Sequence, residues 1–221
     1  CFIFWFMNDN NILAVVLAGG KSKRFGEDKN CAKLGDKTLL EHVLFKISNK
    51  FEEILIVSSH SVEVEETKSL TIIPDCHEGL GPLVGVLSSM KWIKKNKKSY
   101  QWLATFPSDT PFFDISIIEE YKKKIKLNES LLYFVKSNNK RHNIFGLWSI
   151  DLLETLENDL IENNFRKVQE WANKIGVKTI DVKIKKFDPF FNINTKKDLE
   201  EAQNILEEYK KWLITKKHKI F

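Results

Sequence analysis

Apolar residues come in short bursts whose spacing switches along the chain. Ile12–Leu17 is an unbroken apolar run, as expected of a strand buried on both faces. Apolar positions 39, 40, 43, 44 and 47 then share one face and predict a helix over Thr38–Ile47. Ile54–Val57 and Leu70–Ile73 read as strands, Leu83–Ile93 as a helix, Trp102–Phe106 as a strand and Ile115–Ile125 as a helix. Leu131–Val135 returns as a strand. The polar stretch "KSNNKRHN" follows, so Ile144–Trp148 pairs antiparallel with its predecessor. Helices near 151–158 and 164–175 precede an alternating strand, Val177–Ile184. Thr195, with Asp198 three residues on, forms a capping-box pattern that opens the last helix.

Strands alternating with helices predict an α/β fold: a mostly parallel sheet with one antiparallel strand and helices on both faces. The chain has 221 residues, no internal repeat and no Pro/Gly/Ser linker, which suits a single domain. A 43% apolar composition supplies a sizeable core and excludes a disordered chain. The net charge is +5, and only Arg24, Arg141 and Arg166 are arginines. Base readout leans on Arg forks, so a Lys-rich chain of this kind points to a small anionic substrate, with no nucleic acid. The Lys-rich end, Lys210 to Lys219, reads as a solvated face.

Cysteines at 1, 31 and 76 form neither a C-x-x-C pair nor a zinc spacing, which fits a reducing, cytoplasmic setting. No apolar run reaches the roughly 18 residues of a membrane helix. The opening "CFIFWFM" lacks the charged start of a signal peptide; Met7 is a candidate start, and residues 1–7 are set aside as non-native.

In an open parallel sheet, ligands gather outside the carboxyl ends of the strands. Strand one runs into "LAGGKSKRFGEDK" (Leu17 to Lys29), strand two into Ser58-Ser59, strand three into Pro74-Asp75 and strand four into "PSDTPF" around Asp109. A glycine loop lets backbone N–H groups approach phosphate oxygens, and Lys29 and Arg24 add charge-assisted bonds. The loop is neither a Walker A motif nor G-x-G-x-x-G. Asp109 reads either as a loop acid capping the next helix or as a Mg²⁺ ligand, and Asp75 has the same two readings. "GLGPLVG" (Gly79 to Gly85) reads either as an ordinary helix start with Pro82 near its first turn or as a flat backbone surface for a base or phosphate. Cys76 and His77 suggest a nucleophile, but no second base or orienting acid is apparent by pattern, and neither reads as catalytic. His42 reads as packing or surface. His142, beside Arg141, faces either solvent or an acidic ligand.

Together "LAGGKSKRFGEDK", "PDCHEGLGPLVGV", "FPSDTPF" and "FNINTKKDLEEA" resemble the molybdenum cofactor guanylyltransferase family, within the nucleotidyltransferases of Rossmann-like fold. The likeness runs from about Ile12 to Leu206. It implies transfer of GMP from GTP to the terminal phosphate of molybdenum-molybdopterin, with Mg²⁺ as cofactor and pyrophosphate leaving. It implies backbone contacts to the nucleotide at Leu17, Ala18 and Gly19, with Gly20 and Ser22 in the same loop, and phosphate neutralisation by Arg24 and Lys29. Asp75 and the turn holding Gly81, Pro82, Leu83 and Gly85 would meet guanine and ribose, and Asp109 would hold the metal. Asn192 and Asn194 would lie near the second substrate, and Arg166 and Lys167 would serve the pterin's anionic groups.

Ser58 stands where the family often has Asn and is carried over as a nucleotide contact. Ser108 replaces a usual Cys, Phe25 a usual Met, and Asn143 the Pro that often follows the family's His. A nucleotide-binding half at about 8–112 and an acceptor half at about 113–205 follow from the likeness. Molybdenum-insertion proteins and molybdoenzyme chaperones are implied partners, with no membrane. The competing expectations are a cytidylyl- or sugar-phosphate nucleotidyltransferase and a non-enzymatic GTP-binding protein.

Overall fold

The computed structural model describes residues 11–19, 32–64, 67, 69–77, 79–184 and 186–217, with side chains described as far as Tyr209. Nine strands are described: β1 (Ile12–Leu17), β2 (Lys33–Leu34), β3 (Lys37–Thr38), β4 (Ile54–Val57), β5 (Leu70–Ile73), β6 (Trp102–Pro107), β7 (Leu132–Ser137), β8 (Lys140–Ser149) and β9 (Lys178–Asp181). The helices are α1 (Leu39–Ile47), α2 (Leu83–Lys95), α3 (Ile117–Leu127), α4 (Leu153–Ile161), α5 (Val168–Ile175) and α6 (Lys196–Lys217).

Seven strands form one sheet in the order β5-β4-β1-β6-β8-β7-β9. All neighbours run parallel except around β8, which is antiparallel to both β6 and β7. This is the expected mostly parallel sheet with one antiparallel strand.

The strands are apolar throughout because both faces are covered. Along β1, Ile12, Ala14 and Val16 join a core shared with α1 and α3, while Leu13 and Val15 join one shared with α2, α4 and α5. Helices therefore cover both faces. Thr38 caps α1 through a capping box with Glu41. Asn138 and Asn139 both take positive φ, 44° and 60°, and make a two-residue hairpin turn between β7 and β8. That turn is tighter than the polar stretch suggested, because Asn tolerates the left-handed region that such turns need.

Two features depart from the sequence pattern. The β2–β3 hairpin is new; each strand has two residues, too few to show a period. The strand expected over Val177–Ile184 shortens to Lys178–Asp181 because it pairs only with residues 133–136 of β7.

Candidate active site

The carboxyl ends of β5, β4, β1 and β6 are stitched together by main-chain bonds. Ser58 N–H donates to the Ile73 carbonyl at 3.0 Å, Ala18 N–H to Val57 at 2.9 Å and Ser108 N–H to Leu17 at 3.1 Å. Leu17, Val57, Ile73 and Pro107 therefore end in register along one rim. Just beyond that rim lie Gly19, Asp75 and Asp109.

Asp75 is half-buried between two glycines. A Cβ on Gly19 would stand 3.5 Å from its Oδ2, and one on Gly85 would stand 3.5 Å from its Oδ1. The helix α2 thus approaches β1 closely at Gly85. Burial raises the Asp75 carboxyl above its ordinary value. The turn that carries it is held from α2: Cys76 N–H donates to Ser88 Oγ at 2.8 Å, and Ser88 donates to Val84 O at 2.7 Å. Ser88 lies outside the motifs of the sequence. Its signal was a polar Ser88-Ser89 pair that turns out fully packed within an apolar helix face.

Asp109 follows β6 and is partly buried. Thr110 Oγ1 donates to its Oδ1 at 3.2 Å. Ile193 N–H donates to the Asp109 carbonyl at 3.0 Å, which draws the Asn192–Asn194 segment onto the same rim. Ile193 is buried, whereas Asn192 and Asn194 are exposed on either side of it. Thr195 and Asp198 then form the expected capping box: Asp198 N–H donates to Thr195 Oγ1 at 3.1 Å, and Asp198 Oδ2 accepts from Thr195 N–H at 2.8 Å.

The structure also changes several expectations. Ser58 is 5% exposed, and its hydroxyl lies 3.0 Å from His60 O and 3.4 Å from Ala18 O. It braces two strand ends and does not present a free group. Leu83 is buried in the core, so only its backbone is available to a ligand. Pro82 is the N-cap of α2, one place earlier than expected, and Gly79 and Gly81 take positive φ of 75° and 80°. Arg166 Nη1 donates to Leu160 O at 2.7 Å and to Phe165 O at 2.8 Å, closing the end of α4. Its backbone abuts Gly81, so it stands beside the glycine turn. Lys167 pairs with Glu170 at 2.7 Å on the surface. His42 Nε2 donates to Leu34 O at 2.6 Å and ties the β2–β3 hairpin to α1. Gly20, Ser22, Arg24 and Lys29 lie outside the described residues.

Among the described residues, no group of three or more His, Cys, Asp or Glu gathers as a metal site, and no helix is long and apolar enough to cross a membrane. The rim instead offers hard oxygen donors singly, at Asp75 and Asp109.

The family model for MobA-like NTP transferase domains matches residues 14–175. A molybdenum cofactor guanylyltransferase of Rhizobium rhizogenes is 31% identical over 204 residues, spanning 90% of each chain. The crystal structure of molybdopterin-guanine dinucleotide biosynthesis protein A from Archaeoglobus fulgidus superposes with a TM-score of 0.71 at 24% identity, covering 89% of this chain and 99% of that one. A 4-diphosphocytidyl-2C-methyl-D-erythritol synthase from Anaerococcus prevotii shares the fold, with a TM-score of 0.67 at 13% identity over 90% of this chain and all (100%) of that one. The stitched rim, the glycine approach to Asp75 and a family match across most of the sheet agree, and the chain belongs to the MobA-like NTP transferases, a family of nucleotidyltransferase enzymes.

Proposed function

We propose that this chain transfers GMP from GTP to the terminal phosphate of molybdenum-molybdopterin and releases pyrophosphate. The observation that carries the reading is the main-chain bond from Ile193 to Asp109. It brings the Asn192–Asn194 segment to the rim where β1 and β6 end. An acceptor beside those Asn residues and a nucleotide over Gly19 would then meet at Asp109. The guanine and molybdopterin assignments rest on the relatives' names.

In the reaction, an acceptor phosphate oxygen attacks the α-phosphorus of GTP and forms a new P–O bond. The bond from that phosphorus to the bridging oxygen of the β-phosphate breaks, and pyrophosphate leaves with the electron pair. The nucleophile is already anionic, so the protein supplies placement and charge rather than a strong base. Backbone at Leu17–Gly19 takes the nucleotide, and Arg24 and Lys29 offset its phosphate charge. Asp75 accepts from N–H or O–H donors on the guanosine side.

Asp109 is the residue that would hold Mg²⁺. A single carboxylate on a rim shared with substrate phosphates suits an ion that keeps most of its waters. When bound, Mg²⁺ offsets the charge of the phosphates and of the leaving pyrophosphate. The nucleotide half at about 8–112 and the acceptor half at about 113–205 belong to the same proposal.

Thermal shift with Mg²⁺ and GTP, CTP, UTP or ATP in turn tests the base assignment. A ligand that binds only the folded chain raises its melting temperature, and GTP is expected to raise it most. A larger shift with CTP would move the chain to the cytidylyl branch of the fold. Release of pyrophosphate from GTP that depends on molybdenum-molybdopterin tests the acceptor.

A further inference from the structure

A closed cluster of polar and aromatic groups fixes the segment that leads to Asn192. Asp188 Oδ1 accepts from Phe190 N–H at 2.9 Å and from Ser137 Oγ at 3.4 Å. With its hydrogen directed to Asp188, Ser137 Oγ accepts from His142 Nε2 at 2.8 Å. The His142 ring lies on the Phe190 ring, with centroids 4.6 Å apart and planes at 33°. Phe190 also meets Phe145 at 5.1 Å, and Phe145 meets Phe113 at 5.0 Å, four residues past Asp109. The segment is thus held at 188–190 by this cluster and at Ile193 by the Asp109 carbonyl.

A bulge in β8 is what places His142 here. Phe134 pairs with Gly146, but the next residue of β7, Val135, pairs with His142. Residues 143–145 therefore bow out of the ladder, which brings His142 opposite Val135 and leaves Phe145 in the core. The phosphate chemistry above gives His142 no proton to carry, and packing alone would be met by any ring on Phe190. A hydrogen-bonded chain through a Ser137 that is 2% exposed goes beyond packing.

We propose that His142 is a positioning residue for the acceptor step. Through Ser137, Asp188 and Phe190 it sets the placement of Asn192 and Asn194 relative to Asp109. The inference rests on the reading above that the acceptor enters beside those two Asn residues.

The test uses the full chain carrying His142→Phe, which keeps the ring and loses the Nε2 bond; His142→Gln, which keeps an N–H and loses the ring; or Ser137→Ala. Three measurements are made on each: GTP affinity by calorimetry with Mg²⁺, kcat and KM for molybdenum-molybdopterin at saturating GTP, and hydrogen exchange of the peptide spanning 189–195. His142→Phe and Ser137→Ala are expected to lower kcat/KM for the acceptor about tenfold, keep the GTP Kd within about twofold and speed exchange at 189–195. The double variant should lose little more than either single one, because both remove the same link. His142→Gln should recover part of the loss seen in a His142→Ala control.

Unchanged acceptor kcat/KM in His142→Phe and Ser137→Ala overturns the proposal, as does a parallel loss of GTP affinity. Exchange at 189–195 needs no acceptor, so unchanged exchange in both variants overturns it even if molybdopterin proves to be the wrong substrate. In that last case it is the wild-type chain that fails to transfer. If the His142 variants do not fold, Ser137→Ala, which removes one oxygen, decides the matter.

Discussion

Gly81 faces the backbone of Arg166: a Cβ on Gly81 would stand 3.5 Å from the Arg166 carbonyl oxygen. The glycine turn ahead of α2 and the segment between α4 and α5 therefore form one surface. Arg166 spends its guanidinium on the end of α4, through Leu160 and Phe165. It is a support beneath the turn that the proposal gives to the nucleotide. Arg166→Ala is expected to destabilise the chain by about 1–2 kcal/mol and to weaken GTP binding as well as acceptor transfer. Denaturant unfolding and calorimetric titration of GTP check this. Unchanged GTP affinity would return Arg166 to the acceptor side alone.

Asp109→Asn separates placement from charge. The amide keeps the backbone that Ile193 binds, so the melting midpoint should stay within about 1–2 °C of the parent. A neutral amide is a poor ligand for a hard cation, so turnover should fall about 100-fold or more. Near-parental turnover at low Mg²⁺ would remove the metal role from this residue.

Asp75 makes a prediction of opposite sign for stability and activity. Its carboxyl is raised by burial, so the folded chain holds that proton more tightly than the unfolded chain does. Its favourable contribution is complete below the unfolded value and is lost as pH rises through the folded one. At pH 7 the ionised group opposes folding of the nucleotide-free protein. Asp75→Asn should raise the melting midpoint there by about 1–3 °C, with the gain shrinking as pH falls toward the ordinary carboxylate range. Transfer should decline in the same variant. A lowered midpoint at pH 7 would mean that the carboxylate is a structural hydrogen-bond partner instead.

Two glycines differ in what surrounds them. A Cβ on Gly146 would stand 2.5 Å from the Phe134 ring and 2.8 Å from the Tyr133 carbonyl oxygen, and that backbone cannot yield. Gly146→Ala should cost about 2–4 kcal/mol. A Cβ on Gly85 would meet Leu17 Cδ2 at 2.7 Å, the tip of a half-buried side chain, and Asp75 Oδ1 at 3.5 Å. Gly85→Ala should cost about 1 kcal/mol yet lower turnover more than Gly146→Ala does. Unfolding curves and initial rates on both proteins test that crossing of effects.

Periodicity made the sheet and helices readable, because each buried face leaves a repeat in the sequence. Ile12–Leu17 had to be central once every position in it was apolar, and Thr195 with Asp198 marked the start of α6 from local chemistry alone. Other features leave no repeat. The β2–β3 hairpin is clamped by Gln203, which accepts from Gly35 N–H at 3.2 Å and donates to Lys33 O at 3.2 Å, partners about 170 residues away in the chain. Nor does any local pattern mark Lys46, whose ammonium donates to Phe113 O at 2.9 Å and whose pKa is lowered by burial. At the site, the acids at the strand ends were legible because parallel topology fixes where strands stop. The inward turn of Ser58 and the bulge before Gly146 depend on partners from other elements, which no local pattern announces.

The rim is joined through peptide groups at Ala18, Ser58, Ser108, Asp109 and Ile193, and a peptide group is the same whatever side chain it carries. A lineage can therefore exchange the side chains at 108 or 192 and leave the carboxylate where it stands. Descendants would vary in which acceptor they favour while inheriting one way of handling the nucleotide. In such an architecture substrate range drifts readily and reaction type persists.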